Sequence, residues 1–384
     1  MELIIIFSII WLLFTSVILL RNLVDLKSMH SISAHTAETA PLVSICIPAR
    51  NEEDVIEHCV TQALKQNYPN FEVLVLDDNS TDETTSILTE LSKIISNLHH
   101  IKGKEKPHYW MGKPWACNQL GESAKGKYLL FIDADVWLEE DALPKMVQAL
   151  TQYDCITVWP KQYVGTFWEQ MIVPMIYYAV FTLLPARYTE RKPRWMPVSV
   201  YHKFSGTFAA ACGQFIAFSR EAYQKTGGHH AVQQEVVEDV QLAKHVRKHG
   251  LRLKMYHGTG TVNCRMYTSH AGLWAGLRKN FFAGFNKNIL LFVCMGLLHL
   301  LVFVAPFVIF ILALVYQSYS LAIFSLIPLL LIFLQRLLLD IRFGWNPSVS
   351  LLHPVSVLWY QLLGVVCLTD YLRGKKASWK GREV

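Results

Sequence analysis

Two carboxylates separated by one small residue, Asp133 and Asp135, follow an apolar run in the middle of the chain. The run, residues 128–132, is typical of a buried strand, so both carboxylates are expected at the carboxyl end of a strand. Carboxylate oxygens suit a hard divalent cation, and a cation held there can bind the oxygens of a diphosphate. Because acidic residues after a strand also begin loops or cap helices, the pair indicates chemistry on a nucleotide-linked substrate only together with its surroundings.

Two earlier strands are also expected to end in polar, acidic residues. Leu42–Pro48 leads into the polar run 49–53, and Phe71–Leu76 leads into the acidic run 77–82. Helix-forming stretches separate the three strands, and such an alternation predicts a mostly parallel sheet. Ligands of these sheets bind outside the carboxyl ends of the strands, so the three polar clusters are predicted to meet at one edge.

Asp239 is the candidate general base. It lies in Gln234–Lys248, where Val236, Val240 and later apolar residues approximate one face of a helix. An acceptor hydroxyl must lose its proton as it attacks, and a carboxylate within hydrogen-bond reach is the simplest base, worth roughly 100- to 10,000-fold in rate. The alternative is that Asp239 and Glu238 only stabilise the amino end of that helix through its dipole.

Five segments, taken in order, resemble the motifs of the family 2 glycosyltransferases. They are residues 48–53 (Pro-Ala-Arg-Asn-Glu-Glu), 77–82 (Asp-Asp-Asn-Ser-Thr-Asp), 112–119 (Gly-Lys-Pro-Trp-Ala-Cys-Asn-Gln), 133–135 (Asp-Ala-Asp) and 237–240 (Val-Glu-Asp-Val). The resemblance covers roughly residues 42–285 and implies an α/β fold. The implied architecture is a GT-A nucleotide-diphospho-sugar transferase domain with a mostly parallel mixed sheet, joined to N-terminal and C-terminal transmembrane helices.

The same resemblance implies individual roles. Asp239 would be the catalytic base, and Asp77 or Asp78 would contact the uracil and ribose of a UDP-sugar. Asp133 and Asp135 would bind the diphosphate through a divalent cation, Mg²⁺ or Mn²⁺. Direct attack with one base and no covalent nucleophile would invert the anomeric carbon.

Further residues complete the expected donor site. Gly213 would let the backbone approach the donor or acceptor closely, and an ordinary bend glycine is the alternative. Arg278 would face the acceptor or the diphosphate, and a juxtamembrane cation is its alternative. The full set expected around the donor is Pro48, Arg50, Glu52, Asp77, Asp78, Lys113, Asp133, Gly213 and Arg278.

Long apolar runs indicate an integral membrane protein. The chain has 384 residues, 52% of them hydrophobic, and a mean hydropathy of +0.25. The runs long enough to cross a bilayer, or nearly so, are Leu3–Leu20, Ile289–Tyr316, Leu321–Gln335 and Leu351–Leu368. Cations after the first run and near residues 278–287 predict a catalytic domain on the cytoplasmic side of the cell (inner) membrane. The same rule favours an interfacial or re-entrant course for 351–368, because basic residues follow it.

A second apolar stretch bears on the acceptor. Phe167–Pro185 is too interrupted for a span and too apolar for a solvent-facing helix, so residues 167–195 are predicted to lie in the interface beside anionic head groups. An internal core helix is the alternative. With this segment and the tail Trp379–Arg382, the chain is similar to carotenoid, hopanoid-associated and ceramide glucosyltransferases. The expected reaction is therefore transfer of a hexose, glucose by preference, from a UDP-sugar to a carotenoid or related terpenoid.

Other functions remain open at the level of the sequence. A processive exopolysaccharide synthase would use the same donor, but it normally has more spans and a Gln-X-X-Arg-Trp motif that this chain lacks. A transferase acting on ceramide or diacylglycerol is a further alternative. A membrane scaffold without activity is the third, and the intact Asp133, Asp135 and Asp239 argue against it.

The predicted organisation is a series of segments along the chain. The net charge of +6 is modest and forms no nucleic-acid stripe, so the expected partners are the donor, the lipid acceptor and the membrane, with no nucleic acid. Eight cysteines without paired spacing indicate neither zinc nor disulfides. The predicted boundaries are 1–24 for the anchor, 25–41 for the linker, 42–287 for the catalytic domain, 288–370 for the C-terminal membrane segments and 371–384 for the basic tail.

Overall fold

The computed structural model describes most of the chain. The described residues are 1–33, 40–204, 206, 209–375 and 378–383. Residues 34–39 of the predicted linker, and residues 376, 377 and 384 of the predicted tail, lie outside them.

The chain divides into two compact units. The sheet unit consists of Asp25–Tyr163 and Ala186–Met266. The helical unit consists of Met1–Val24, Val164–Pro185 and Tyr267–Val384. Segments that are far apart in the sequence therefore share a unit, and residues 164–185 belong with the apolar helices.

The described residues form twelve strands and fifteen α-helices. The strands are β1 Val43–Ala49, β2 Phe71–Asp77, β3 Leu98–Lys102, β4 Tyr128–Ile132, β5 Val136–Leu138, β6 Cys155–Trp159, β7 Lys161–Gln162, β8 Phe215–Ser219, β9 Leu253–His257, β10 Val262–Cys264, β11 Ser378–Trp379 and β12 Arg382–Glu383. The helices are α1 Glu2–Asp25, α2 Ile56–Leu64, α3 Thr84–Ile94, α4 Gly112–Ser123, α5 Ala142–Leu150, α6 Phe167–Leu183, α7 Arg187–Glu190, α8 Val198–Phe204, α9 Arg220–Lys225, α10 Glu238–Lys248, α11 His270–Phe281, α12 Ile289–His299, α13 Ala305–Val315, α14 Tyr319–Phe343 and α15 His353–Leu372.

A seven-stranded sheet organises the sheet unit, with strand order β3-β2-β1-β4-β8-β6-β9. Strand β8 runs antiparallel to both of its neighbours, and the other pairs are parallel, so the predicted mostly parallel mixed sheet is confirmed. The register pairs Ala49 with Asp77 and Cys46 with Phe131. The loops after β1, β2 and β4 therefore leave the sheet at one edge, as the sequence predicted.

The sheet is buried on both faces because alternate side chains of each strand point to opposite sides. Ile45 and Ile47 of β1 belong to one hydrophobic core with residues of α2, α3 and α5. Cys46 belongs to a second core with residues of α4, α9 and α10. The result is a three-layer α/β/α arrangement. It places the amino ends of α4 and α10 beside the ends of the strands.

The helical unit contains four helices that are long and apolar enough to cross a membrane. They are Glu2–Asp25, Ile289–Val315, Tyr319–Phe343 and Pro347–Leu372. Helix α6, the predicted interfacial segment, also belongs to this unit, and the Asn22 amide donates to the carbonyls of Phe181 and Leu184 at 2.8 and 2.7 Å. The apolar helices indicate a membrane-associated protein. The interfacial position of α6 and the re-entrant course of 351–368 stay predictions.

Candidate active site

One pocket in the sheet unit gathers five of the residues that the sequence singled out. Pro48 lies in β1, Lys113 in α4 and Asp239 in α10. Asp133 directly follows β4, and Gly213 lies in the segment before β8. The complete lining is Pro48, Lys113, Cys117, Phe131, Ile132, Asp133, Gly213, Ile216, His229, Glu238, Asp239 and Leu242. Distant parts of the sequence thus meet at the carboxyl edge of the sheet.

Lys113 links the strand end to the helix that carries the candidate base. Its ammonium lies 2.6 Å from Asp133 Oδ1 and 2.9 Å from Glu238 Oε1. Burial by itself would lower the pKa of Lys113, but the charges of Asp133 and Glu238 outweigh burial and raise it well above its ordinary value. The side chain is therefore a permanent cation at physiological pH.

Asp239 is held by two backbone amides. The Gly213 N–H donates to Oδ2 at 2.6 Å, and the Val240 N–H donates to Oδ1 at 2.8 Å. Burial, and next the charge of Glu238, raise the pKa of Asp239 to about 6, although Lys113 and both amides act in the opposite direction. A carboxyl group with a raised pKa is a stronger base once it is ionised, so this environment suits proton abstraction near neutral pH.

Gly213 is a glycine because of what surrounds it. A Cβ at this position would lie 3.0 Å from the Lys113 ammonium and 3.1 Å from Asp239 Oδ2, which is closer than side chains normally pack. The next residue, Gln214, is fixed by Gln162, whose amide donates to it at 2.7 Å. The Gly213 backbone thus lies close to two side chains of the pocket, those of Lys113 and Asp239. A close approach of Gly213 to a donor or acceptor stays a prediction.

His229 also lines the pocket, although the sequence analysis did not single it out. The Tyr223 hydroxyl and His229 Nδ1 are 2.9 Å apart, and the imidazole packs against the Phe131 ring with centroids 4.6 Å apart. Burial lowers the pKa of His229 to about 3, so the imidazole is neutral. The signal in the sequence was the preceding Gly227-Gly228 pair, because both glycines have positive φ and turn the chain inward.

The loops after β1 and β2 are locked together by hydrogen bonds. The Arg50 guanidinium donates to the carbonyls of Asp78 and Asn79 at 2.5 and 2.8 Å. The Asp77 carboxylate accepts from the Ser80 N–H at 2.9 Å and from a threonine hydroxyl of α3 at 2.5 Å. Arg50 and Asp77 therefore shape the loops, and Asp78 is buried beside them.

The charges of Glu52, Asp133 and Asp135 all act on one buried thiol. Burial, followed by the charges of Asp135, Glu52 and Asp133, raises the pKa of Cys59 well above its ordinary value. The Cys59 Sγ also lies 3.8 Å from the Asp133 carbonyl oxygen. The three carboxylates are thus all within electrostatic reach of Cys59.

The donor set fits a cation that arrives with a diphosphate. Asp133 and Asp135 offer two partly accessible carboxylates two residues apart. Within the part of the chain that the structure describes, no group of three His, Cys, Asp or Glu side chains could hold a metal by itself. Mg²⁺ commonly takes one or two carboxylates and completes its shell with substrate phosphates and water, so two carboxylates suffice for that type of site.

Arg278 belongs to the helical unit. Its Nε donates to Asp370 Oδ2 at 2.8 Å, and its Nη2 contacts the same oxygen. This ion pair joins α11 to α15 inside the unit. A role of Arg278 toward the donor or acceptor stays a prediction.

Comparison with known proteins identifies the class of the sheet unit. Residues 44–227 match the family described as Glycosyl transferase family 2. The structure is similar to that of mannosyltransferase PcManGT from Pyrobaculum calidifontis, which was solved in complex with GDP-Man and Mn²⁺. The TM-score is 0.54 at 17% identity, over 98% of this chain and 99% of that chain. At this identity the likeness shows the fold, a GT-A-like α/β fold, as predicted.

Residues 44–227 therefore match a family 2 glycosyltransferase domain, in agreement with the resemblance seen in the sequence. It is 28% identical over 237 residues to the 4,4'-diaponeurosporenoate glycosyltransferase of Staphylococcus haemolyticus, which is 60% of this chain and 58% of that protein. It is 35% identical over 115 residues to TuaG of Bacillus subtilis, named as a teichuronic acid biosynthesis glycosyltransferase, which is 30% of this chain and 44% of that protein. The chain thus spans about half the length of these relatives.

Proposed function

We propose that this protein transfers a hexose, glucose by preference, from a UDP-sugar to a membrane lipid, with inversion at the anomeric carbon and with the help of Mg²⁺ or Mn²⁺. The observation that carries the proposal is the pocket itself. Asp133, at the end of a strand, and Asp239, in α10, both line this pocket, and the cationic Lys113 is close to both carboxylates. This set offers a place for a metal-bound diphosphate and a base for an acceptor.

The donor end is assigned to Asp133 and Lys113, which line the pocket, and to Asp135, which follows Asp133 by two residues and lies outside the lining. The two carboxylates would hold the cation, which neutralises the charge that builds on the leaving diphosphate. Lys113, whose ammonium is already in the pocket, adds a second positive charge toward the phosphate oxygens. Asp77 or Asp78 would contact the nucleoside, and Arg50, which donates to the carbonyls of Asp78 and Asn79, would fix the loop around them.

The acceptor end is assigned to Asp239. Its carboxylate is oriented by the N–H groups of Gly213 and Val240, each of which uses one lone pair of a different oxygen, so both oxygens keep acceptor capacity for the acceptor hydroxyl. The proton moves to Asp239 as the acceptor oxygen attacks the anomeric carbon, and the bond to the diphosphate breaks on the opposite side. One base and one displacement give inversion.

A lipid acceptor follows from the composition of the chain and from one relative. The four apolar helices and α6 supply an extensive nonpolar surface, and the diaponeurosporenoate glycosyltransferase is named for a carotenoid acid. We therefore propose a carotenoid or related terpenoid, whose hydroxyl or carboxyl receives the sugar. The cations at Arg21 and Lys27 favour a catalytic domain facing the cytoplasm from the cell membrane, where nucleotide sugars are made.

A second candidate has one observation in its favour. The match to TuaG, although it covers only 30% of this chain, is to a protein named for the synthesis of a polymer. In that case the protein would add sugars to a growing saccharide. The two candidates share the donor site and differ in the product.

The test is a transfer assay with the full chain in membranes. Membranes containing carotenoids, ceramide or diacylglycerol receive labelled UDP-glucose, UDP-galactose or UDP-N-acetylglucosamine, and the products are identified by mass spectrometry. One added hexose on one lipid class is the expected result, and it should require Mg²⁺ or Mn²⁺. Asp133→Asn and Asp135→Asn should weaken the metal-dependent binding of the donor. A labelled polymer would support the second candidate, and metal-independent transfer would refute the proposed role of the cation.

A further inference from the structure

The charge balance of the pocket is uneven. Asp133, Glu238 and Asp239 contribute three carboxylates, and among the described residues that line the pocket Lys113 is the one cationic side chain. The burial of His229 keeps its imidazole neutral, so it does not correct the balance. The pocket therefore carries an excess of negative charge with an ammonium inside it.

The Lys113 ammonium is paired with the Asp133 carboxylate, which the proposed reaction needs as a ligand of the divalent cation. It lies 2.6 Å from Asp133 Oδ1, which is within the range of a strong charge-assisted hydrogen bond. A divalent cation bound by the same carboxylate would be repelled by an ammonium at that distance. The two cations cannot both be close partners of Asp133 without a large electrostatic cost.

Lys113 also has a second partner ready. Its ammonium is 2.9 Å from Glu238 Oε1, so it can leave Asp133 and remain paired. The side chains of Lys113 and Asp133 are 34% and 28% exposed, and this contact is therefore open to incoming solutes. The missing Cβ at Gly213 leaves room beside the ammonium, which a Cβ would approach to 3.0 Å.

We propose that Lys113 competes with the divalent cation for Asp133. Before the donor arrives, Lys113 neutralises Asp133 and keeps the affinity for a free divalent cation low. When the sugar nucleotide enters, Lys113 gives up Asp133 and turns to the phosphate oxygens, with Glu238 as its remaining carboxylate partner. The cation then binds together with the diphosphate rather than ahead of it. This inference rests on the proposed function, because it requires that Asp133 serve a cation.

The test measures Mn²⁺ binding by electron paramagnetic resonance, with the full chain in nanodiscs and without nucleotide. Lys113→Met should bind Mn²⁺ about tenfold more tightly than the wild type or better. Lys113→Arg keeps the charge and should bind as weakly as the wild type. The matched control is Lys93→Met, which removes an exposed, ion-paired lysine of α3 and should change nothing. With UDP present, the wild type should bind Mn²⁺ tightly, while Lys113→Met should gain less from UDP than the wild type does.

Removal of Lys113 takes a cation away from Asp133 and Glu238, and that change can destabilise the fold. A second pair of variants avoids the difficulty. Glu238→Gln should bind Mn²⁺ no better than the wild type, because Lys113 then keeps its ion pair with Asp133. Lys113→Met combined with Glu238→Gln should bind Mn²⁺ more tightly than Glu238→Gln alone.

The outcomes separate this inference from the proposed function. Equal or weaker binding after the loss of Lys113, in both backgrounds, would overturn the competition while leaving a metal-dependent transferase intact. Failure of the wild type and of every variant to bind Mn²⁺ even with UDP would overturn the proposed metal dependence itself, and the competition with it.

Discussion

Each of the two units contains a notable ion pair, fully buried in the helical unit and partly exposed in the sheet unit, and the two differ in how completely their charges are balanced. In the helical unit, Arg336 and Asp340 are both 0% exposed, and the guanidinium Nε lies 2.9 Å from the carboxylate. In the sheet unit, Lys113 faces Asp133 and Glu238, and only Glu238 is nearly sealed from solvent. The first pair is one cation against one anion, and the second is one cation against several anions.

The surroundings of the two pairs explain the difference. The Ser350 hydroxyl donates to Asp340 at 2.8 Å, and Arg336 donates to the Gln170 carbonyl at 3.1 Å, so the pair ties three segments of the helical unit together. A buried pair with its hydrogen bonds satisfied serves the architecture. The pocket keeps negative charge in excess at an accessible place, which is costly for folding and useful for binding a cationic or metal-bound ligand. The comparison predicts that removal of a charged side chain from the pocket impairs function, whereas removal of one from the Arg336–Asp340 pair impairs stability.

The largest effect on function is expected for Asp239→Asn. The amide cannot accept the proton of the acceptor, so transfer should fall by about 100- to 10,000-fold. UDP binding, measured by calorimetry, should remain. The melting temperature should change little, because the removal of a negative charge beside Glu238 offsets the loss of one of the two backbone hydrogen bonds to this side chain. Glu235→Gln, which alters an exposed carboxylate just before the same helix, is the control and should leave transfer unchanged. Normal turnover by Asp239→Asn would remove it from the role of base.

The largest effect on stability is expected for Arg336→Met. It leaves the buried Asp340 without its cation, and such changes cost about 3–5 kcal/mol. Chemical unfolding in bicelles should detect this loss. Arg336→Met combined with Asp340→Leu should recover most of it, since neither charge is then left unpaired. Arg342→Met, on an exposed position of the same helix, should change stability by less than about 0.5 kcal/mol. If Arg336→Met were as stable as the wild type, the pair would not hold the helical unit together.

The sequence predicted the parts of the pocket that depend on local pattern. Strands β1, β2 and β4 were found because apolar runs end abruptly in polar residues, and their parallel order placed these ends at one edge. Asp133 and Asp239 were singled out because each occupies a fixed position relative to a strand or helix end. The apolar spans follow from composition alone. In all these cases, neighbours along the chain determine the outcome.

The sequence did not predict the features that depend on side-chain partners from distant segments. Glu238 was considered only for the dipole of its own helix, whereas its carboxylate pairs with Lys113, 125 residues earlier. His229 was not singled out, since the Gly227-Gly228 pair before it indicates a turn but does not reveal that Tyr223 and Phe131 contact the imidazole. Arg336 and Asp340 follow the apolar run Leu321–Gln335, and only their spacing of four residues could have indicated a pair.

A smaller effect is expected for Gly213→Ala. The added Cβ would crowd both the Lys113 ammonium and the Asp239 carboxylate, and a displacement of a few tenths of an ångström should reduce transfer by about tenfold. Folding should be little affected, because the crowded groups are side-chain ends. Gly284→Ala is the control, since a Cβ there would meet no atom within 4 Å. Full activity of Gly213→Ala would show that the pocket tolerates such movement and that Gly213 is an ordinary bend glycine.

The smallest effect is on the pH dependence of the rate of transfer. It tests whether the excess negative charge of the pocket acts on Asp239. Asp239 accepts a proton only when it is ionised, and its pKa is raised to about 6, so the rate of transfer should fall as the pH is lowered through about 6. Glu238→Gln removes a negative neighbour that raises this pKa, and the acid limb of the rate profile should therefore move to lower pH. Burial, which is the larger cause of the raised pKa, is unchanged by this substitution. Glu235→Gln, which lies outside the pocket lining, should leave the limb in place. An acid limb that did not respond to Glu238→Gln would mean that the excess charge of the pocket does not act on Asp239, and the contrast with the balanced Arg336 pair would lose its functional meaning.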